Sequence, residues 1–147
     1  MNKVDIFFVK EDGVKTPIYE TLGSSGLDIR AFIKEEKRLY PQLCELITTG
    51  LKLEIPVGYE AQIRPRSGLA SKFGVGIINS PSTIDSDYRG EIKIPIFNFS
   101  NKTFIVKPGM RIAQIVFAPV ARVEMIEATI LSKTSRDVGG FGSTGEM

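Results

Sequence analysis

The chain has 147 residues, enough for one domain of ordinary size and too few for two. Its 19 basic and 17 acidic side chains leave a formal charge of +2, which offers no general basic field for gripping a nucleic-acid backbone. With no histidine and a single cysteine, Cys44, the sequence excludes Ser-His-Asp and Cys-His catalysis, histidine-bearing zinc centres and an internal disulfide.

In chain order, residues 4–9 open the sequence as a short apolar run flanked by charge. It is too brief for a signal peptide, and nothing later approaches the roughly 18 apolar residues of a membrane span. A cytoplasmic protein in a reducing compartment, with no membrane or nucleic-acid partner, is therefore expected. Residues 4–9 predict a strand, as do 51–55 and 91–96, where apolar and polar residues alternate, and the β-branched or aromatic runs at 59–63, 75–78, 103–106, 112–117 and 123–130. Pro56-Val57-Gly58, Ser100-Asn101-Lys102 and Lys107-Pro108-Gly109 punctuate them, which predicts an all-β sandwich, barrel or jelly roll. Pro95 cannot donate to a ladder, so it is expected at an edge or a bulge. Residues 67–73 are the one helical candidate. Beyond Leu131 core residues are sparse, and four glycines fall between Gly139 and Gly145. The expectation is a domain over 1–131 and a mobile C-terminal arm over 132–147; a frayed terminus is the plainer alternative.

Four clusters interrupt the strand pattern. Ser25-Gly26-Leu27-Asp28-Ile29-Arg30 places an acid in an otherwise apolar strand start. Arg64-Pro65-Arg66-Ser67-Gly68-Leu69-Ala70 sets two arginines and a serine before the short helix, where free backbone N–H groups, Arg66 and the Ser67 hydroxyl can seat a phosphate. Alternatively Ser67 only caps the helix. The third cluster runs Asn79-Ser80-Pro81-Ser82-Thr83-Ile84-Asp85-Ser86-Asp87-Tyr88-Arg89-Gly90-Glu91. If it is extended, Asp85 and Asp87 share a face and Tyr88 points oppositely. A carboxylate held near a phosphate can act as general base toward water, whereas a solvated acidic hairpin is the bland reading. Gly109-Met110-Arg111-Ile112-Ala113-Gln114 alone is a turn entering a strand.

Taken in order, these clusters and the glycine-rich tail resemble the five motifs of the trimeric deoxyuridine triphosphate nucleotidohydrolase (dUTPase) family, over about residues 24–145. Pro65-Arg66-Ser67-Gly68-Leu69-Ala70, Ile84-Asp85-Ser86-Asp87-Tyr88-Arg89-Gly90 and Gly139-Gly140-Phe141-Gly142-Ser143-Thr144-Gly145 carry the resemblance most specifically. It implies a distorted jelly-roll β-barrel with one short helix, assembled as a homotrimer whose active sites are shared between subunits, with the arm closing over a site. It implies a Mg²⁺-dependent dUTP diphosphatase that yields dUMP and pyrophosphate, limits uracil incorporation into DNA and supplies dUMP for dTMP synthesis. Asp28 matches a residue reaching Mg²⁺ through water, the ion being held mainly by the triphosphate. Arg66, Ser67 and Gly68 match the triphosphate grip, with Ser67 near the oxygen bridging the α- and β-phosphates. Asn79 and the backbone of Thr83, Ile84 and Asp85 match the hairpin that reads uracil. Asp85 matches the base that orients water onto the α-phosphate and touches the 3′-hydroxyl. Tyr88 matches the ring under deoxyribose, Lys93 a backbone contact to uracil, and Gln114 a phosphate-side glutamine. Arg136, Phe141 and Gly142 match the arm, with Arg136 on the γ-phosphate and Phe141 stacked on uracil.

Such chemistry needs no histidine, because phosphoryl transfer asks the protein mainly for positioning and charge neutralisation. A tight hairpin would exclude the thymine methyl, and the Tyr88 ring would exclude a 2′-hydroxyl. Three positions depart from the family pattern: Ser82 and Asp137 stand where glycine is common, and Met110 where aspartate is frequent. The dCTP deaminases of the same fold carry a glutamate at the position of Pro95, which cannot shuttle a proton. A dUTP sensor without turnover is a further alternative, opposed by the joint presence of Arg66, Ser67, Asp85 and Tyr88.

Overall fold

A computed structural model describes residues 3–140. In chain order the elements are β1 Phe7–Lys10, β2 Leu27–Arg30, β3 Lys37–Leu39, β4 Cys44–Thr48, β5 Leu51–Glu54, β6 Tyr59–Arg64, α1 Ser67–Phe73, β7 Val75–Ile77, β8 Ser82–Ile84, β9 Lys93–Asn98, β10 Phe104–Val106 and β11 Arg111–Pro119. Every strand pairing is antiparallel. Hydrogen bonding divides the strands into a four-stranded sheet β2-β11-β6-β8, a three-stranded sheet β4-β9-β7, and the pairs β1-β5 and β3-β10.

Alternation along the strands supplies the core. On the four-stranded sheet Ile29, Ala61, Ile63, Ala113 and Ile115 turn inward, and on the three-stranded sheet Ile47, Val75, Ile77, Ile94 and Ile96 do. These two inner faces meet in one apolar cluster that also takes in Leu39, Leu51, Ile92 and Val106. The outer face of the four-stranded sheet is polar: Asp28, Gln114 and Arg64 lie level across β2, β11 and β6, and Gln62 pairs with Thr83. Inward apolar residues thus fix which side of the sheet is left free for chemistry. Among the described residues the one buried side-chain amide, that of Asn98, is fully used, donating to Leu39 O and Lys102 O and accepting from Ser100.

The helix matches its predicted span and stops where Gly74 turns left-handed, with φ 63°. The strands β3, β4 and β8 were not among the predicted runs, and the strand expected at 4–9 starts only at Phe7. No strand forms at 123–130. That stretch is irregular, and Val123, Met125, Ile126, Ile130 and Leu131 are exposed. Its β-branched content expresses a propensity, but a strand also needs a partner, and the sheets described here offer it none. Pro95 sits in a central strand, β9, rather than at an edge or a bulge. Its carbonyl accepts from Ile78 just past the end of β7, so its missing N–H points where that ladder has already finished. Asp85 to Tyr88 is a turn closed by Tyr88 N–H donating to Asp85 O, so the extended geometry that would align Asp85 with Asp87 does not occur. No helix among the described residues is long and apolar enough to cross a membrane.

Candidate active site

The predicted residues gather in two places. The first is the corner where β2, β11 and β6 lie side by side and β6 passes into α1. Asp28 on β2 faces Gln114 on β11, which in turn faces Arg64 at the end of β6. Arg66 Nε donates to Asp28 Oδ1 at 2.9 Å, and Arg111 Nη1 donates to Asp28 Oδ2 at 2.8 Å. With only 16% of its side chain exposed, Asp28 is held between two guanidinium groups. Gln114 Nε2 donates to Pro65 O at 3.0 Å, and its amide oxygen lies against Gly26, where a Cβ would come within 2.7 Å of it. Arg66 is the N-cap of α1, in extended conformation, and no side chain caps the helix. Ser67 is thus not a cap: it is the first helical residue, exposed, with Gly68 exposed beside it. Leu69 N–H and Ala70 N–H both donate to Arg66 O, which leaves the N–H groups of Ser67 and Gly68 without a partner inside the helix, beside the Ser67 hydroxyl.

The second place is the excursion between β7 and β9, pinned along one flank by β8 pairing with β6. Asn79, Thr83, Asp85 and Tyr88 are exposed on it, and Ile84 packs on the core. The serine at 82 is accommodated by use: Asn79 Nδ2 donates to its hydroxyl at 3.1 Å. Tyr88 lies over Gly90, where a Cβ would collide with the phenol, and its hydroxyl donates to Glu91 O at 3.0 Å. Glu91 in turn accepts the N–H groups of Thr49 and Gly50, tying the excursion to the body of the fold. Asp85 opens onto a recess of about 290 Å³ with Tyr59, Glu60, Asp87 and Arg122 in its wall. Lys93 opens β9 opposite Thr48, exposed, and makes no hydrogen bond to the predicted hairpin residues.

Of the arm residues, Arg136 is exposed and its Nε donates to Gly139 O. Asp137 has φ 44°, a backbone region that glycine enters freely, and its N–H donates to Thr134 Oγ1. Phe141 and Gly142 lie outside the described residues. At the third departure, Met110 closes a turn through its N–H to Lys107 O and packs its side chain on the core.

No group of three or more Asp, Glu or Cys side chains that could hold a metal ion exists among the described residues. Asp28 nevertheless keeps lone pairs beyond its two arginine bonds, which fits a water-mediated contact to an ion carried by a phosphate chain and does not fit an all-protein cage. Two residues that bear on this site were not singled out from the sequence. Arg111 was read only as part of a turn and strand, because three-residue spacing from Gln114 sends the two to opposite faces of a regular strand. Glu91 looked like one polar step in an alternating run.

Fold and corner together define a jelly-roll β protein with two arginines, a half-buried aspartate and an exposed serine gathered at a strand–helix junction. A family model described as dUTPase matches residues 12–145. A deoxyuridine 5'-triphosphate nucleotidohydrolase of Fusobacterium nucleatum is 47% identical over 146 residues, covering 99% of this chain and 100% of the relative. One from Chlamydia trachomatis is 53% identical over 142 residues, covering 95% and 98%. Among solved structures, the dUTPase of Staphylococcus bacteriophage 80alpha with dUPNHPP superposes with a TM-score of 0.83 at 25% identity, covering 97% of this chain and 99% of that one. The chain belongs to the dUTPase family.

Proposed function

We propose that the chain hydrolyses dUTP to dUMP and pyrophosphate, with Asp85 as base toward the attacking water. The observation that carries the reading is the corner at Asp28, where Arg66 is held by its Nε beside an uncapped helix start and the exposed Ser67 hydroxyl. Arg66, Ser67, Gly68 and Gln114 bind the triphosphate there. Asn79 and the backbone of Thr83, Ile84 and Asp85 read uracil, with Lys93 adding a backbone contact. Tyr88 packs against deoxyribose and excludes a 2′-hydroxyl, a reading supported by the close approach of its ring to Gly90, which limits where the ring can move. Asp85 accepts a proton from water as the new oxygen–phosphorus bond forms at the α-phosphate, and the bond to the α–β bridging oxygen breaks to release pyrophosphate. Asp28 would reach, through water, a Mg²⁺ ion held mainly by the triphosphate, and that ion would supply charge neutralisation on the phosphates. The arm over 132–147 brings Arg136 to the γ-phosphate and Phe141 and Gly142 to the base, excluding water.

The two clusters belong to different copies in a homotrimer. Asp28 and Asp85 lie on opposite edges of the four-stranded sheet, three strand spacings or roughly 14 Å apart across it. The register puts Asp85 four residues along from Arg64, roughly 14 Å further, with Ser67 beyond that. One α-phosphate cannot touch both clusters of a single chain, whereas a neighbour's hairpin laid against this corner lets it do so.

Pyrophosphate release measured from dUTP, UTP, dTTP and dCTP in the presence of Mg²⁺ tests the reading. Turnover of dUTP alone is expected. Comparable turnover of UTP would overturn the role of Tyr88, and ammonia from dCTP would overturn the reaction.

A further inference from the structure

Arg111 and Gln114 are three residues apart on β11, yet both address the outer face of the sheet at Asp28. In a regular strand that spacing is odd and the two side chains diverge. The register explains the convergence: Arg111 pairs with Arg30 and Ala113 with Ile29, which leaves Ile112 with no partner on β2. Ile112 and Ala113 are both buried, so the extra residue turns into the core and everything before it is flipped to the other face. A β-bulge therefore re-aims Arg111 at Asp28. Arg30 Nη1 donates to Gly109 O, and Glu20 Oε1 lies 3.4 Å from the same Arg111 Nη1 that meets Asp28, so the turn and the guanidinium are both anchored.

We propose that Arg111, delivered by this bulge, is a positioning residue that keeps the Arg66 fork open for the triphosphate; the inference rests on the reading of this corner as the phosphate seat. Arg66 touches Asp28 through Nε alone, which leaves its four terminal N–H groups for a ligand. A free carboxylate beside an arginine prefers to take two parallel N–H bonds from it. Here that pairing is blocked because Arg111 occupies Oδ2. Remove Arg111, and Asp28 turns to chelate Arg66 through both oxygens, withdrawing N–H groups that the phosphates need.

Arg111→Met, Arg111→Lys, Asp28→Asn and the double variant Arg111→Met/Asp28→Asn test this. Binding of inorganic tripolyphosphate is measured by calorimetry, KM and kcat for dUTP by pyrophosphate release, and binding of deoxyuridine by inhibition. Arg111→Met should weaken tripolyphosphate binding and raise the KM for dUTP by about tenfold, while deoxyuridine inhibition stays unchanged. Arg111→Lys, which still occupies Oδ2, should recover most of the loss. An asparagine cannot chelate Arg66 through two oxygens, so Arg111→Met should add less than about twofold on Asp28→Asn. The proposal is overturned by unchanged tripolyphosphate binding in Arg111→Met, by an equal loss of deoxyuridine affinity, by a fully additive double variant, or by an unmodified protein that binds no tripolyphosphate. Failure of the unmodified protein to hydrolyse dUTP while these binding differences persist would overturn the substrate and leave the positioning role standing.

Discussion

Asp85 stands at the start of a tight turn, exposed and backed by Ile84, which packs on the core. A side chain so placed is aimed by backbone rather than by neighbours, so an isosteric change should alter its chemistry and little else. Asp85→Asn should keep nucleotide binding and fold while turnover falls by roughly 10²-fold or more, measured as single-turnover pyrophosphate release. Cys44 tells a different residue-level story. It is exposed on an edge strand, and partial burial, with the Glu45 carboxylate next to it, raises the thiol's pKa above its usual value. A raised thiol pKa means less thiolate at a given pH, so iodoacetamide should modify Cys44 more slowly at pH 8 than it modifies an unstructured peptide thiol. Glu45→Gln removes the smaller of the two causes and should quicken the reaction. Equal rates in both variants would show that burial alone sets the shift.

At the scale of elements, the pairing of β2 with β11 builds the Asp28 corner, and it does so with very little clearance. A methyl group at Gly26 would press on the end of Gln114 and on Val116, not on backbone. Gly26→Ala should therefore leave the melting temperature within a few degrees, because a flexible side chain can yield, and lower kcat/KM for dUTP by about tenfold as Gln114 leaves Pro65. The same pair shows what could be read from the sequence. Strands such as β5 and β9 announce themselves by alternation, β6 by its β-branched and aromatic content, and residues 67–73 stand out as the one helical candidate. The bulge at Ile112 does not: two consecutive apolar residues, Ile112 and Ala113, read the same whether or not one is inserted. Residues 123–130 look like a strand because composition reports propensity, while pairing depends on what lies alongside. The candidate site residues stood out as motifs, but the bonds at Asp28 join positions 38 and 83 residues apart, which no local pattern encodes. The place of Tyr88 over Gly90 was equally hidden, since it depends on a turn at 85–88.

For the whole molecule, the decisive feature is how much apolar surface one chain leaves uncovered. Leu46 is exposed on the outer face of β4, where Pro95 and Phe97 are its half-buried neighbours, and Val123, Met125, Ile126, Ile130 and Leu131 stand out along the irregular stretch after β11. Soluble monomers rarely leave so many large apolar side chains uncovered. Light scattering at micromolar concentration should give a mass near three times 16.2 kDa, and a mass of 16.2 kDa would contradict the shared-site reading.

The separation of Asp85 from the Asp28 corner also has a genetic meaning. If no chain contains a complete site, two defects that each abolish activity need not fall on the same catalytic unit. Asp85→Asn and Arg66→Gln proteins, inactive apart, should regain activity when co-expressed or unfolded and refolded together. Random assembly from equal amounts gives roughly a quarter of sites an intact hairpin from one parent and an intact arginine from the other. The recovered activity should then scale with the mixing ratio as the product of the two fractions, greatest at equal amounts. Such intragenic complementation would give a cell carrying both alleles the activity that neither allele confers alone.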